Sequence, residues 1–263
     1  HLAQPIHAID LATGTAANLR YLSPLLDGAQ TWQLIDHDQA LLDAIPARLA
    51  EWSRDRGSTS RASGEGIRID DPCFECEVHY RRRDLARDLT AIDVPRGSLV
   101  TAAALLDLVS DSWLADLAAH CRASYAPVLF ALTYNGEIRF EPSDPEDELV
   151  TALVNRHQST DKGFGPALGG AAAARAVELF EQCGYTVETA LSDWRLGPQH
   201  RQLQRALLEG WTTAAIEMAP GQAGVLGRWA ERRNQQLASG RSTFVVGHAD
   251  LVGLPPRDSQ GRA

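Results

Sequence analysis

The chain has 263 residues, 44% of them hydrophobic, and a formal net charge of −9. A chain of this length and composition can bury one full core, and we expect a single α/β domain over residues 1–263. The negative charge argues against a protein whose main task is to hold nucleic acid, because such proteins need a cationic face. The sequence has no run of about 18 apolar residues, so it predicts no membrane span.

Four cysteines in a chain this long do not form a disulfide framework, and their use is typical of the reducing cytoplasm. Cys73, Cys76 and His79 have the spacing CxxCxxH, which metal sites also use. A structural zinc needs four ligands, and the sequence has no second paired cluster. The alternation of Cys76, Val78 and Tyr80 with polar residues favours a strand in which cysteines pack as small side chains. We therefore predict no metal site, with zinc binding as the alternative.

The segment near the amino terminus predicts a ligand-binding corner. Residues 6–11 read as a buried strand, residues 12–15 as a tight turn of small residues, and a helix follows. Such a corner lets the backbone approach a ligand closely, and the first helical N–H groups point at it. Asp10 lies at the strand end, and Asp36 ends the next strand, 22 residues after Gly14.

This pattern resembles the first two motifs of class I S-adenosylmethionine (SAM)-dependent methyltransferases. Those motifs read (Asp/Glu)xGxGxG, followed by an acidic residue after the second strand. Only Gly14 keeps its glycine here, since Ala12 and Ala16 stand at the first and third glycine positions. Alanine is tolerable at these positions if its φ stays negative.

The remaining elements follow from hydrophobic periodicity. Asp38 is a suitable N-cap for a helix that places Leu41, Leu42, Ile45 and Leu49 on one face. Residues 53–71 are rich in Ser, Gly and Arg and read as a loop, and the tail 255–263 is predicted to be disordered. Further strands are predicted at residues 31–36, around 76–80, and at 97–104, 126–134, 184–194 and 242–254. Further helices are predicted at residues 111–123, 169–183, 198–219 and 222–238.

The resemblance implies an α/β, Rossmann-like fold with a seven-stranded, mostly parallel sheet flanked by helices. Its strand order would be 3-2-1-4-5-7-6, with the last strand antiparallel. Two segments, about 139–168 and 196–240, exceed a minimal fold, and we expect them to form a helical cap over the ligand crevice. The family usually has a helix before the first strand, and we expect that helix to be absent from this chain.

The resemblance also implies a SAM site. Asp36 would bind the ribose hydroxyls, since a carboxylate can accept two hydrogen bonds. Asp84 and Leu85 would contact adenine, with Asp88 or Asp93 as substitutes if the third strand is misregistered. The full set of implied cofactor-binding residues is Asp10, Ala12, Gly14, Asn18, Asp36, His37, Asp84, Leu85 and Ala103.

On the acceptor side we expect a small-molecule substrate, with a homodimer left open as the assembly. His157 is the candidate general base because imidazole titrates near neutral pH. Tyr134 and Lys162, the only lysine, would orient the reacting groups, while Asn135 and Gln158 would bind the substrate. We interpret residues 157–166 as a polar loop of the kind that often carries function.

Two alternatives come from other functional classes. An NAD(P)-dependent oxidoreductase also has an acidic residue about 20 positions after its glycines, but its turn reads GxGxxG and is apolar where Asp10 stands. A non-catalytic binding protein with the methyltransferase fold would explain the alanines at positions 12 and 16. Calorimetry with S-adenosylhomocysteine (SAH) and with NAD separates these readings.

Overall fold

The computed structural model describes residues 4–64 and 66–257 of the chain. Ten strands form one mixed sheet. Their bounds are β1 Ile6–Leu11, β2 Gly28–Asp36, β3 Thr59–Ser63, β4 Gly66–Asp70, β5 Phe74–Arg82, β6 Leu99–Ala103, β7 Val128–Glu141, β8 Thr186–Leu191, β9 Trp194–Leu196 and β10 Thr243–Leu254. Eight α-helices accompany the sheet. They are α1 Ala17–Leu22, α2 Gln39–Asp55, α3 Leu85–Asp88, α4 Asp111–Ala123, α5 Asp147–Gln158, α6 Ala172–Gln182, α7 Arg201–Met218 and α8 Ala223–Ala238.

The strand order across the sheet is β3-β4-β5-β2-β1-β6-β7-β10-β8, and β9 pairs with β10. Neighbouring strands from β5 to β7 run parallel, whereas β10 is antiparallel to both β7 and β8. When β3, β4 and β9 are left out and the other seven strands are renumbered in chain order, the order across the sheet is 3-2-1-4-5-7-6. The predicted order and the antiparallel last strand are confirmed.

The edge beside β5 differs from the prediction. Residues 53–71 do not form a simple loop, because β3 and β4 make an antiparallel hairpin that extends the sheet. Ile67 and Ile69 are buried on one face of this hairpin, between the more exposed Arg68 and Asp70. Two alternating apolar residues are enough to hold this hairpin on the sheet, because they pack against the apolar cluster that β5 and α2 already form.

Two apolar clusters cover the two faces of the central sheet. One joins β1, β2 and β5 to α1 and α2 through residues such as Leu19, Trp32 and Ile45. The other joins β6 and β7 to α4 and α6. The predicted helix at residues 111–123 is confirmed. The inward position predicted for Leu41 is wrong, since that side chain is 38% exposed.

Strand β7 continues beyond the edge at which β6 stops. The last β6–β7 pair is Ala103 with Ala131, but β7 runs on to Glu141 and pairs with β10 across two register shifts. The predicted end of this strand at Tyr134 is therefore wrong. The residues 184–194, predicted as one strand, contain all of β8 and the first residue of β9, which are separated by Ser192 and Asp193.

Helices α5, α7 and α8 lie on the extension formed by β7, β9 and β10. They enclose a third apolar cluster in which the ring of Phe140 makes edge-on contacts with Trp211, Trp229 and Phe244. We call β7 beyond Leu132, β9, the first half of β10 and these three helices the cap.

A buried arginine fastens the cap. Arg233 on α8 has no exposed surface, forms an ion pair with Asp147 at the start of α5, and donates from Nη1 to the carbonyl oxygen of Pro142 at 2.6 Å. Asp147 also accepts a hydrogen bond from Trp229 Nε1 at 2.9 Å. One carboxylate thus joins α5 to two residues of α8.

Within residues 4–64 and 66–257, no helix combines the length and apolar character needed to cross a bilayer. In the same part of the chain, no cluster of three or more His, Cys, Asp or Glu side chains is arranged to hold a metal ion. All four cysteines are unpaired, and Cys76 packs inside β5 as a buried residue. Most of the tail predicted to be disordered, residues 258–263, lies outside the described residues.

Candidate active site

The turn after β1 has an alternating left-handed backbone. The φ angles are 53° at Ala12, 56° at Gly14 and 63° at Ala16. Both alanines therefore adopt the conformation for which glycine is preferred, so the negative φ under which alanine would be tolerable is not found. A left-handed alanine costs roughly 1–2 kcal/mol, so the turn keeps this shape at the expense of stability.

The same kind of strain marks the neighbouring strand ends. Of the non-glycine residues with positive φ in the described chain, Ala12, Ala16, Ala104 and Leu132 lie at the carboxyl ends of β1 and β6 or where β7 passes that edge. Tyr125 is the remaining one. Strained backbone of this type clusters at ligand sites.

Open space lies beside Gly14. A Cβ atom built on this residue would meet no heavy atom within 4 Å. The N–H of Gly14 donates to Asp36 Oδ2 at 2.8 Å, which fixes the turn against the end of β2. A glycine that leaves room at a strand-to-helix corner lets a ligand approach the protein backbone closely.

Asp10 is fully buried and organises the corner from below. Its Oδ2 accepts from Thr13 Oγ1 at 2.5 Å and its Oδ1 from Asn18 Nδ2 at 2.9 Å. Asn18 Nδ2 also lies 2.9 Å from Thr101 Oγ1, which links the corner to β6. Burial raises the pKa of Asp10 to about 6, against the lowering effect of the hydrogen bonds from Asn18 and Thr13.

Asp36 ends β2 and is also buried. Its Oδ1 accepts the N–H of Asp38 at 3.0 Å and lies 3.4 Å from Nδ1 of His37, whose side chain is 80% exposed. Asp38 caps α2 as predicted, accepting from the N–H of Ala40. Asp36 therefore joins the turn after β1 to the loop before α2.

Asp84 follows β5 at the same edge. Its half-exposed carboxylate accepts the N–H of Ala86 at 3.0 Å and caps the short α3. The N–H of Arg83 donates to the carbonyl oxygen of Asp36 at 2.8 Å, which holds the ends of β2 and β5 together. The structure thus brings Asp10, Asp36 and Asp84 to the ends of three adjacent parallel strands. Ala103 ends β6 at this edge, and the side chain of Leu85 is buried in the core.

The predicted acceptor-side residues separate into two places. The hydroxyl of Tyr134 donates to Asn155 Oδ1 at 2.7 Å, and burial raises the pKa of this hydroxyl. His157 instead lies 3.1 Å from Glu217 of α7, and Lys162 Nζ lies 3.5 Å from His157 Nδ1. Residues two apart face different sides of a helix, so Asn155 and His157 look in different directions.

The predicted polar loop begins later than expected, since α5 includes His157 and ends at Gln158. Near that helix end lies a shallow cavity of about 650 Å³ that is wide open to solvent. Its lining residues are Asn135, Gly136, Glu137, Asn155, Ser159, Leu168, Gly170 and Ala171. Asn135 is thus placed at a cavity, whereas Gln158 precedes the lining residue Ser159.

Asp107 is a site candidate that was not among the residues predicted from the sequence. This residue is 7% exposed, and its Oδ1 is buried without a hydrogen-bond donor. It lies in a 3₁₀ turn, Leu106–Leu108, just after β6. The available signal was a single carboxylate in the otherwise apolar stretch of residues 102–106 and 108–109.

No protein-family model and no curated protein matches the chain. Among solved structures, a Bacillus halodurans protein provisionally assigned as a methyltransferase is 12% identical, with 97% of this chain and 95% of that chain covered and a TM-score of 0.48. The YcgJ protein of Bacillus subtilis is 9% identical, with coverages of 96% and 93% and a TM-score of 0.49. A SAM-dependent methyltransferase from Geobacter sulfurreducens in complex with SAH is 13% identical, with coverages of 96% and 85% and a TM-score of 0.44.

These similarities are too weak to assign an activity. The strand order observed here, with its antiparallel last strand and its corner after β1, is that of the class I SAM-dependent methyltransferase fold. The chain therefore has this fold.

Proposed function

We propose that the protein transfers a methyl group from SAM to a small-molecule acceptor. The supporting observation is the edge where three carboxylates follow adjacent parallel strands beside a left-handed turn with open space at Gly14. Carboxylates at this edge suit the hydroxyls and amino groups of an adenosyl amino acid, which can donate hydrogen bonds to them. Alanines in a glycine-like conformation preserve the shape of the turn.

Each donor-side residue has a role in this proposal. Asp36 binds the ribose hydroxyls, Asp84 and Leu85 border the adenine, and the backbone around Gly14 holds the methionine end. Asp10 positions the turn through Thr13 and Asn18. Ala12, His37 and Ala103 line the same edge.

SAM supplies an electrophilic methyl group, which a nucleophile displaces in line while the carbon–sulfur bond breaks and sulfur keeps the electron pair. The protein must hold the acceptor at near-attack geometry and exclude water, and the cap is placed to do so. His157 and Lys162 remain proposals as general base and orienting group, held together beside α7. Tyr134 orients groups through Asn155, since its raised pKa keeps the hydroxyl protonated.

Calorimetry with SAH tests the proposal, with NAD as the control ligand. We expect SAH to bind at micromolar concentration and NAD to give no heat of binding. NAD binding without SAH binding would overturn the proposal in favour of an oxidoreductase. SAH binding with no methyl transfer to any acceptor in a broad small-molecule screen would favour the non-catalytic binding protein.

The unpaired cysteines support a reducing compartment, for which we propose the cytoplasm.

A further inference from the structure

The cavity near the end of α5 has the size of a small-molecule site. Its volume of about 650 Å³ falls within the range of ligand pockets, about 300–1,000 Å³. Its walls come from β7, α5 and the 3₁₀ turn Gly169–Ala171. Backbone forms part of its base, because a Cβ built on Gly170 would lie only 2.7 Å from Gly136 Cα.

The cavity lies next to the proposed methyl-donor site along the edge of the sheet. Asn135, which lines it, follows Tyr134, and the N–H of Tyr134 points at the carboxyl group of Asp107 at the end of β6. Strand β6 pairs with β1, whose end carries Gly14. The order along the edge is therefore the three carboxylates, Gly14, Asp107 and then the cavity.

The charges around the cavity are mainly negative. Its lining contains Glu137 and no basic residue, and the turn that holds Asp107 packs against β7 and against the turn Gly169–Ala171, both of which line it. Glu137 is paired with Arg139, which also lies 3.8 Å from Asp193. Asp107 has backbone N–H groups around it but no cationic partner, and burial raises its pKa. A buried carboxylate without a counterion gives the neighbouring cavity a negative potential, which attracts cations.

We propose, on the basis of the proposed function, that this cavity is the acceptor site and that its substrate is a small amine, protonated in solution. Asn135, Asn155 and Ser159 offer side-chain oxygens to its N–H groups, and the charge of Asp107, which no cation in the described residues neutralises, matches its charge. The ammonium must give up a proton before its nitrogen has a free electron pair. At this cavity Asp107 takes that proton in place of His157, which faces Glu217 on the other side of α5, and passes it to solvent after the product leaves.

The test uses the full chain saturated with SAH and a panel of small primary amines. Each amine is paired with the alcohol in which a hydroxyl replaces the amino group. Binding is measured by ligand-observed NMR and transfer by release of label from methyl-labelled SAM. Ala171→Phe fills the cavity from an exposed position, and Ala174→Phe is its matched control, exposed on α6 outside the lining.

We expect binding and transfer among the amines and not among their alcohol partners. Ala171→Phe should reduce both at least about 100-fold, and Ala174→Phe should leave them unchanged. Asp107→Asn should reduce amine binding about tenfold or more. Without ligand, the same substitution should raise Tm at pH 7, because it removes a buried charge that has no partner. A merely structural carboxylate would not combine weaker binding with higher stability.

The inference is overturned if alcohols bind as well as amines, if amine binding survives Ala171→Phe, or if no amine binds while SAH does. Failure of SAH itself to bind would refute the proposed function instead. SAH calorimetry on each variant separates the two cases, since none of these substitutions touches Gly14, Asp36 or Asp84.

Discussion

The carboxylates of the corner and the carboxylate that holds the cap bond over different distances in sequence. At the ends of β1, β2 and β5, each carboxylate makes a bond within a few residues of itself, as Asp10 does with Thr13, Asp36 with Asp38 and Asp84 with Ala86. Asp36 also accepts from Gly14, 22 residues earlier. In the cap, Asp147 bonds to Trp229 and Arg233, which lie 82 and 86 residues further along the chain.

This contrast suggests a division of labour. Bonds within the corner and bonds to the end of β2 hold the turn in a strained shape that a ligand can use, and the central sheet supports it. Long-range bonds hold the cap, whose own cluster around Phe140 is separate from the two clusters on the central sheet. Changes in the cap should therefore affect stability and acceptor binding, and changes at the corner should affect SAH binding.

The largest effect should come from the cap. Asp147→Ala leaves Arg233 buried without its ion-pair partner and Trp229 Nε1 without an acceptor. Removing one partner of a buried pair destabilises by about 3–5 kcal/mol, which urea unfolding will measure. Glu148→Ala, exposed in the same helical turn, is the control and should change stability by less than about 0.5 kcal/mol. A small effect of Asp147→Ala would show that the bonds from Asp147 to Arg233 and Trp229 are not what holds the cap together.

Asp10 should give the corner a distinctive pH dependence. Its pKa is raised from 3.8 to about 6, so between these values the folded protein binds a proton that the unfolded chain has lost. The free energy of unfolding therefore falls as pH rises through this window, by about 3 kcal/mol in total. Above the window, the contribution of Asp10 no longer changes with pH.

Urea unfolding from pH 4 to 7.5 measures the contribution of Asp10 as the difference in the free energy of unfolding between wild type and Asp10→Asn. The variant should gain stability relative to wild type as the pH rises from about 4 to 6. Asp84→Asn, a half-exposed carboxylate at the same edge, is the comparison variant. A pH-independent difference between wild type and Asp10→Asn would contradict the burial argument.

Gly14→Val should damage the corner without unfolding it. Its side chain would fill the open space and force a β-branched residue into the left-handed region. We expect SAH affinity to fall at least about 30-fold, or about 2 kcal/mol, by calorimetry. Gly57→Val is matched to it, since Gly57 has a φ of 74° and equally open surroundings but follows α2. Equal loss of affinity in both variants would mean that strain, and not the space beside Gly14, matters.

The sequence predicted the corner well because each carboxylate follows its own strand and makes a bond within a few residues of itself. Residues 6–11 form β1 as expected, Asp38 caps α2, and the strand order follows from the family resemblance. The φ angles of Ala12 and Ala16 escaped prediction. The turn is held by Thr13 N–H on the carbonyl oxygen of Ile35 and by Gly14 N–H on Asp36, and these bonds override the local preference of alanine.

The cap could not be predicted in the same way. Strand β7 continues past Tyr134 because it pairs with β10, more than 100 residues later, and bulges shift the register on the way. No local pattern around Asn135 and Gly136 reports that pairing. Asp107 was hidden for a related reason, since its importance comes from burial beside Tyr134 and not from its own spacing in a motif.

Asp36→Ala should weaken SAH binding by about 1–3 kcal/mol, the range for lost hydrogen bonds to a charged group. The change also leaves the N–H of Gly14 without its acceptor, so the turn loses support at the same point. Asp38→Ala removes a helix cap two residues later and should leave SAH affinity within about twofold of wild type, by calorimetry. Wild-type affinity in Asp36→Ala would remove the ribose role from this residue.

The smallest effect tests whether the corner is strained. Ala12→Gly should relieve the roughly 1–2 kcal/mol of a left-handed alanine but lose about 0.4–1 kcal/mol because glycine makes the unfolded chain more flexible. A net gain of up to about 1 kcal/mol is expected in urea unfolding. Ala16→Gly should gain less, because its methyl group is fully buried and burial of one such group is worth about 0.8 kcal/mol. Ala47→Gly, exposed in α2, should instead lose about 1 kcal/mol. If Ala12→Gly were destabilising to the same degree as Ala47→Gly, the turn would hold no strain, and its left-handed alanines would not be the reason the corner keeps its shape.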